Sequence, residues 1–186
     1  MRRTLAGAAA ALLLLASPAF AARWDVDPLT SRLMFTGTQA GEAFAGSFPK
    51  FTSAIEFDEA APEKGSIRIT IDMRQLQIDG KDRMDALPTA DWFAVAQFPT
   101  AEFTSTHIRR AAVGGGYLAQ GTLTLRGIRR PLTLPFRLTT TGNSTVARGE
   151  VALNRQDFGV GQGRWASEEW VANPVEVRFE LHATAR

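Results

Sequence analysis

Histidine is scarce and cysteine is absent in this chain, and the Asp and Glu residues show no spacing typical of a metal site. The chain has two histidines, His107 and His182, and no cysteine. Without cysteine there is no thiol nucleophile and no thiolate-bound zinc, and two histidines alone do not complete a metal site. A Gly-x-Ser-x-Gly nucleophile motif is also missing. The sequence therefore predicts no catalytic residue, no metal and no required cofactor, which disfavours an enzyme.

A glycine-rich stretch at residues 159–163 superficially resembles a phosphate-binding loop. Such a loop lies between a strand and a helix, and a P-loop carries a lysine, whereas Arg164 and Trp165 follow here. We interpret the stretch as a bent loop at the rim of the fold. Beside it, Arg155 and Asp157 are predicted to form an ion pair. Arg155, Asp157 and Trp165 are our candidates for residues that contact a ligand headgroup or lie at the rim of the fold.

Two local clusters of arginine are present. Arg109 and Arg110 are adjacent, and Arg126, Arg129 and Arg130 surround a glycine in a predicted hairpin turn. Exposed charge is ordinary on a turn. The functional alternative is a clamp on a phosphate headgroup or contact with an anionic membrane surface. The sequence leaves both interpretations open.

The first residues have the pattern of a secretion signal. Arg2 and Arg3 precede an apolar run at residues 5–16, and Ala19 and Ala21 offer small side chains for cleavage. The run is too short to cross a bilayer as a mature helix. We therefore predict a signal at residues 1–21, a single domain at residues 22–186 and a periplasmic location.

The charge balance changes when this predicted signal is removed. The whole chain has 21 Lys and Arg residues against 19 Asp and Glu residues. Without Arg2 and Arg3, each sign counts 19 and the formal net charge is zero. Binding to nucleic acid requires a clustered basic surface, so we predict no nucleic-acid partner.

Alternation of apolar and polar residues dominates the remaining chain. The secondary structure that it predicts must position any functional site. The clearest runs are residues 67–73, 132–138 and 175–182, with weaker runs at 33–38, 44–48, 51–57, 100–108, 117–125 and 146–153. Period two is typical of strands with one dry face and one wet face. Only residues 79–97 depart from it, and they predict one or two short helices in a long connection.

About eight strands with a single dry face predict an all-β antiparallel barrel, because closure removes exposed edges. A two-sheet sandwich is the alternative. An eight-stranded barrel is just wide enough to be filled by side chains or to hold one slender ligand, and the sequence leaves these alternatives open. Alternation places the following residues on the interior wall: Leu33, Phe35, Ile55, Phe57, Ile69, Ile71, Phe103, Leu123, Leu134, Phe136, Val177 and Phe179.

Five segments in order resemble the YceI-like family of exported lipid-binding proteins, over essentially all of residues 22–186. They are the Trp-Asp-Val-Asp-Pro opening at 24–31, the stretch at 46–58, the connection at 83–106, the hairpin at 121–132 and Asn-Arg-Gln-Asp-Phe-Gly at 154–159. The resemblance implies a lipocalin-like antiparallel barrel with an interior tunnel. It also implies that the tunnel binds a polyisoprenoid chain, such as the tail of a quinone or a prenyl phosphate.

The chain departs from the family pattern at three polar positions. Thr30 stands where many members have His, and Met84 and Ala86 stand where many have Asp and His. Any headgroup contact made by those side chains is therefore not carried over. Residues 159–165, followed by Glu-Glu-Trp at 168–170, are similar to a subgroup found beside or fused to diheme b-type membrane cytochromes.

Two functional hypotheses follow. The first is a periplasmic binding protein that carries or sequesters an isoprenoid lipid or quinone in the barrel. The second is a module that presents the loop at residues 164–170, with its two tryptophans, to a membrane b-type cytochrome or another redox protein and binds no lipid itself. A homodimer is left open by the sequence.

Overall fold

The computed structural model describes residues 21–186. The predicted secretion signal at residues 1–21 lies outside the described residues, apart from Ala21. Eleven strands form in the described part. They are β1 (Ala22–Val26), β2 (Arg32–Gln39), β3 (Glu42–Ser47), β4 (Phe51–Phe57), β5 (Ser66–Asp72), β6 (Gln77–Ile78), β7 (Thr100–Arg110), β8 (Tyr117–Leu125), β9 (Ile128–Thr141), β10 (Ser144–Asn154) and β11 (Pro174–Ala185).

The strands close into a barrel because β1 pairs with both β4 and β11. Eight strands complete the ring in the order β1-β4-β5-β7-β8-β9-β10-β11, and β2, β3 and β6 extend the sheet from the side of β11. Every pairing is antiparallel. The prediction of a closed, antiparallel, lipocalin-like barrel is confirmed, and the sandwich alternative is wrong.

Within residues 21–186, helical structure is confined to short segments. They are α1 (Lys81–Ala86) and the 3-10 turns Pro62–Lys64, Met73–Gln75, Arg155–Phe158 and Gly163–Ala166. Helix α1 lies inside the predicted connection at 79–97, so a short helix there is confirmed. It does not continue, since Pro88 has no N–H with which to extend the hydrogen-bond ladder. No helix within residues 21–186 is both long enough and apolar enough to cross a membrane.

Alternation located most strands and missed the shortest ones. Strands β4 and β8 coincide with the predicted runs at 51–57 and 117–125. Strands β1 and β6 were not predicted. They have five and two residues, which is too little periodicity to separate a strand from a turn.

One end of the barrel, which we name the Glu59 end, is covered by the segment after β4. The Tyr117 hydroxyl donates to the Glu59 carboxylate at 3.0 Å, and the Thr140 hydroxyl donates to it at 3.1 Å. Inside this end, the ring of Tyr117 packs on those of Phe57 and Phe136, with centroids 5.0 and 5.3 Å away. All three aromatic residues are buried, so they fill the barrel at this end.

Candidate functional site

A cavity of about 220 Å³ lies inside the barrel, and the surface exposed to it is apolar throughout. Directly opposed residues of paired strands share a face, and Phe35 is opposite Val177 while Phe103 is opposite Leu123. The structure places all twelve residues assigned to the interior on this wall: Leu33, Phe35, Ile55, Phe57, Ile69, Ile71, Phe103, Leu123, Leu134, Phe136, Val177 and Phe179.

The cavity wall also contains residues that were not predicted. They include Trp24, Val26, Phe48, Met73, Phe93, Ala147, Val151, Leu153, Phe158 and Val160. Alternation along the predicted run at 146–153 carried the signal for Ala147, Val151 and Leu153. Phe93 and Phe158 lie on connections, where packing against the barrel decides burial and no period reveals it.

Two glycines leave space for aromatic rings of the neighbouring strands. Gly149 on β10 is opposite Phe179 on β11, and Gly46 on β3 is opposite Phe35 on β2. A β-carbon at either glycine would overlap the ring opposite. The rings cover the glycine backbone in place of a side chain.

Arg155 lies buried at the opposite end of the barrel, with 4% of its surface exposed. Its five N–H groups donate to five backbone carbonyls at 2.7–3.1 Å, those of Val160, Gly161, Trp165, Val171 and Ala172. Burial lowers the pKa of the guanidinium, and the charge of Glu168 partly offsets this. We name this region, residues 155–173, the Arg155 end. Every donor of Arg155 is engaged, so a bond to a ligand headgroup would require one of the five to break.

The glycine-rich stretch at 159–163 wraps around this guanidinium. Gly161 has a φ of 80°, and a β-carbon there would overlap Nη1 of Arg155. Glycine supplies both the left-handed backbone and the space. The stretch is therefore a bent loop, as predicted, and its carbonyls point at a cation, which is the opposite polarity to a phosphate-binding loop.

Asp157 and Trp165, the other predicted rim contacts, lie at the same end in different surroundings. Asp157 is exposed, and among residues 21–186 it forms no ion pair. The predicted Arg155–Asp157 pair is absent because carbonyls already surround the guanidinium. Trp165 packs on Trp92 with ring centroids 5.7 Å apart, and the Arg164 guanidinium lies 4.5 Å from the Trp165 ring centroid. Of the three predicted contacts, Arg155 lines the cavity.

The titratable groups of the described residues do not converge on a reaction centre. Within residues 21–186 no group of three or more His, Asp or Glu is arranged to hold a metal ion. His182 lies on the outer face of β11, with Nε2 at 2.8 Å from a Glu180 carboxylate oxygen. Hydrogen bonds from Arg148 and His182 lower the pKa of Glu180, which is the behaviour of a surface ion pair.

Comparison with known proteins identifies the family. The family model described as the YceI-like domain matches residues 24–183. A UPF0312 protein of Photorhabdus laumondii is 32% identical over 143 residues, which cover 74% of this chain and 73% of that protein.

Solved structures share the fold. Burkholderia cenocepacia BcnA aligns with a TM-score of 0.81 at 32% identity, covering 86% of this chain and 100% of BcnA. A polyisoprenoid binding domain from Saccharophagus degradans aligns with a TM-score of 0.65 at 14% identity, covering 88% of this chain and 98% of that domain. Because the family match spans almost the whole barrel, this chain belongs to the YceI-like family.

Proposed function

We propose that this protein carries or sequesters a polyisoprenoid lipid, of the quinone or prenyl phosphate type, inside its barrel and without catalysing a reaction. The observation that carries the proposal is the apolar cavity of about 220 Å³. An apolar tail gains free energy by leaving water, and it needs no titrating residue to do so. The polyisoprenoid binding domain from Saccharophagus degradans, which has the same fold, supports this choice of ligand.

The size of the cavity suits a short isoprenoid segment. One group the size of a water molecule needs about 10–15 Å³ of cavity volume. The cavity therefore has room for roughly 15–20 such groups, which is about the number of carbon atoms in three isoprene units. At about 0.8 kcal/mol per methylene, such a segment contributes about 12 kcal/mol. Association and ordering cost about 4–15 kcal/mol, so the affinity reflects only the surplus. A longer tail would have to widen the cavity or project from it.

A cavity-filling variant tests the proposal. Ala147 lines the cavity, whereas Ala152 on the same strand is exposed on the outer face. In titrations of the delipidated protein with farnesol, Ala147→Phe should weaken binding at least tenfold, while Ala152→Phe should bind as the unchanged protein does. Circular dichroism checks that both variants keep the sheet. Equal binding by the two variants would contradict an interior site.

The location in the periplasm is part of the same proposal and rests on the predicted signal at residues 1–21. Cell fractionation should place the protein in the periplasm, and sequencing of its N-terminus should begin near Ala22. Recovery in the cytoplasm with the apolar run intact would contradict this part.

A second candidate function is a partner module for a membrane b-type cytochrome. The observation that favours it is Trp170, which is 57% exposed beside the acidic residues Glu168 and Glu169. Large exposed aromatic side chains are enriched at protein interfaces. Trp170→Ala should weaken a complex with such a cytochrome while farnesol binding stays unchanged, and unchanged association would count against it.

A further inference from the structure

One part of the barrel wall is unpaired. Strand β9 pairs with β8 from Ile128 to Phe136, but it pairs with β10 only from Phe136 to Thr141. Strand β10 pairs with β11 along its whole length. Residues 128–135 of β9 and 150–154 of β10 therefore have no ladder between them, and we name these two segments the β9–β10 seam.

Two prolines in β9 disfavour strand pairing at the seam. Pro131 and Pro135 both lie in the unpaired half of β9. Proline has no N–H, so neither residue can donate to β10 or to an added strand from another molecule. The edge is thereby protected against strand pairing, and the 3-10 turn Arg155–Phe158 contacts β9 beside it.

The seam adjoins the cavity on both sides. Leu132 and Leu134 of β9 and Val151 and Leu153 of β10 all line the cavity. The two barrel ends are covered differently, by the packed rings at the Glu59 end and by the segment tied to Arg155 at the other. A chain projecting from the cavity between β9 and β10 would meet apolar side chains and unpaired backbone groups, which suits an amphipathic lipid.

A single cation lies at this seam on the inward face of β9. Arg130 is opposite Leu123, and opposed residues share a face. Leu123 is buried, yet Arg130 is exposed. The Arg130 guanidinium donates only to the carbonyl of Arg129, at 3.2 Å, and it forms no ion pair with any residue in the range 21–186. Its remaining donors are available to a ligand.

We propose that the inward-facing side chains of the β9–β10 seam hold the headgroup of the bound isoprenoid, and that Arg130 selects an anionic phosphate headgroup over a neutral one. The inference rests on the proposed function, because it concerns the polar end of the same ligand. A guanidinium forms charge-assisted hydrogen bonds with phosphate oxygens that a hydroxyl or quinone oxygen cannot match in strength. Arg130 would therefore be a specificity-determining residue.

The test compares two ligands that share a tail, farnesyl phosphate and farnesol, by calorimetric titration of the delipidated full chain. Arg129 supplies the matched control, since it is the adjacent arginine on the opposite face of β9, across from Thr124. We expect Arg130→Gln to weaken farnesyl phosphate binding about tenfold and to leave farnesol binding within about twofold. Arg130→Lys should restore part of the affinity, and Arg129→Gln should change neither ligand by more than about twofold.

The outcomes distinguish failure of the headgroup assignment from failure of the proposed lipid-binding function. If the unchanged protein binds both ligands and Arg130→Gln affects them equally, or no more than Arg129→Gln does, the headgroup assignment is overturned and the lipid-binding function stands. If the unchanged protein binds neither ligand, both proposals fail. Inorganic phosphate at the same concentration should not displace farnesyl phosphate, and full displacement would show a free-anion site in place of a lipid headgroup site.

Discussion

Arg155 holds five backbone carbonyls with one side chain, and no carboxylate is among its partners. Lysine keeps the charge but has three donors in place of five and lacks the planar fork. Arg155→Lys should therefore leave buried carbonyls without a donor and lower the free energy of unfolding by about 3 kcal/mol. Urea denaturation measures the change, and Arg129→Lys on the exposed face of β9 is the control. A loss below about 1 kcal/mol would show that the Arg155 end is held by other contacts.

Asp72 makes the stability of the fold depend on pH. Hydrogen bonds from the Arg74 guanidinium, at 2.8 and 2.9 Å, bring the pKa of Asp72 down from 3.8 to about 2. Because this pKa is lower in the folded protein, the pair stabilises the fold above pH 3.8 and the stabilisation is lost as pH falls toward 2. In Asp72→Asn, Tm should therefore fall less steeply as the pH is lowered from 3.8 toward 2. If Tm falls as steeply with pH in Asp72→Asn as in Asp82→Asn, which removes an exposed carboxylate on α1, the assignment is contradicted.

Single residues also show how far the sequence predicts the site. The position of a residue such as Phe179 follows from alternation alone, since a strand on a barrel has one inward face. The surroundings of Arg155 do not follow, because its acceptors lie five to seventeen positions later in the chain. Those residues show no regular alternation of apolar and polar side chains, so the sequence does not predict where their carbonyls lie. Only the folded loop brings these carbonyls to one point.

Strands β10 and β11 approach each other closely at Gly149 and Phe179. A β-carbon on Gly149 would overlap the Phe179 ring and the backbone oxygen of Pro135. Gly149→Ala should therefore lower the free energy of unfolding by about 2 kcal/mol through overpacking. In a Phe179→Leu background the cost should fall by about 1 kcal/mol. Urea denaturation of the four proteins gives the coupling, and additive effects would show that the ring does not occupy that space.

The same elements explain which parts of the fold the sequence could not predict. Runs such as 51–57 carry enough alternation to define a strand and its inward face. The open seam could not be read from β9, because its alternation continues through residues 132–138 whether or not β10 pairs with it. Pro135 lies where the ladder to β10 stops, and proline within a sheet is confined to edges and bulges because it has no N–H.

For the whole molecule, an interior ligand should stabilise the barrel by mass action. A ligand present at about 100 times its Kd adds about 2.7 kcal/mol to the free energy of unfolding. For a domain of this size that corresponds to a rise in Tm of roughly 5–10 °C. Scanning calorimetry of the delipidated protein with and without farnesyl phosphate measures it. A Tm that does not move with ligand concentration would contradict binding inside the fold.

Native mass spectrometry followed by organic extraction shows whether the cavity of the purified protein holds an isoprenoid lipid. We predict one lipid per chain in the intact complex, with the extract giving an isoprenoid, and loss of both signals in Ala147→Phe but not in Ala152→Phe. A protein that is free of lipid when purified, and that takes up no isoprenoid when one is supplied, would contradict lipid binding inside the barrel.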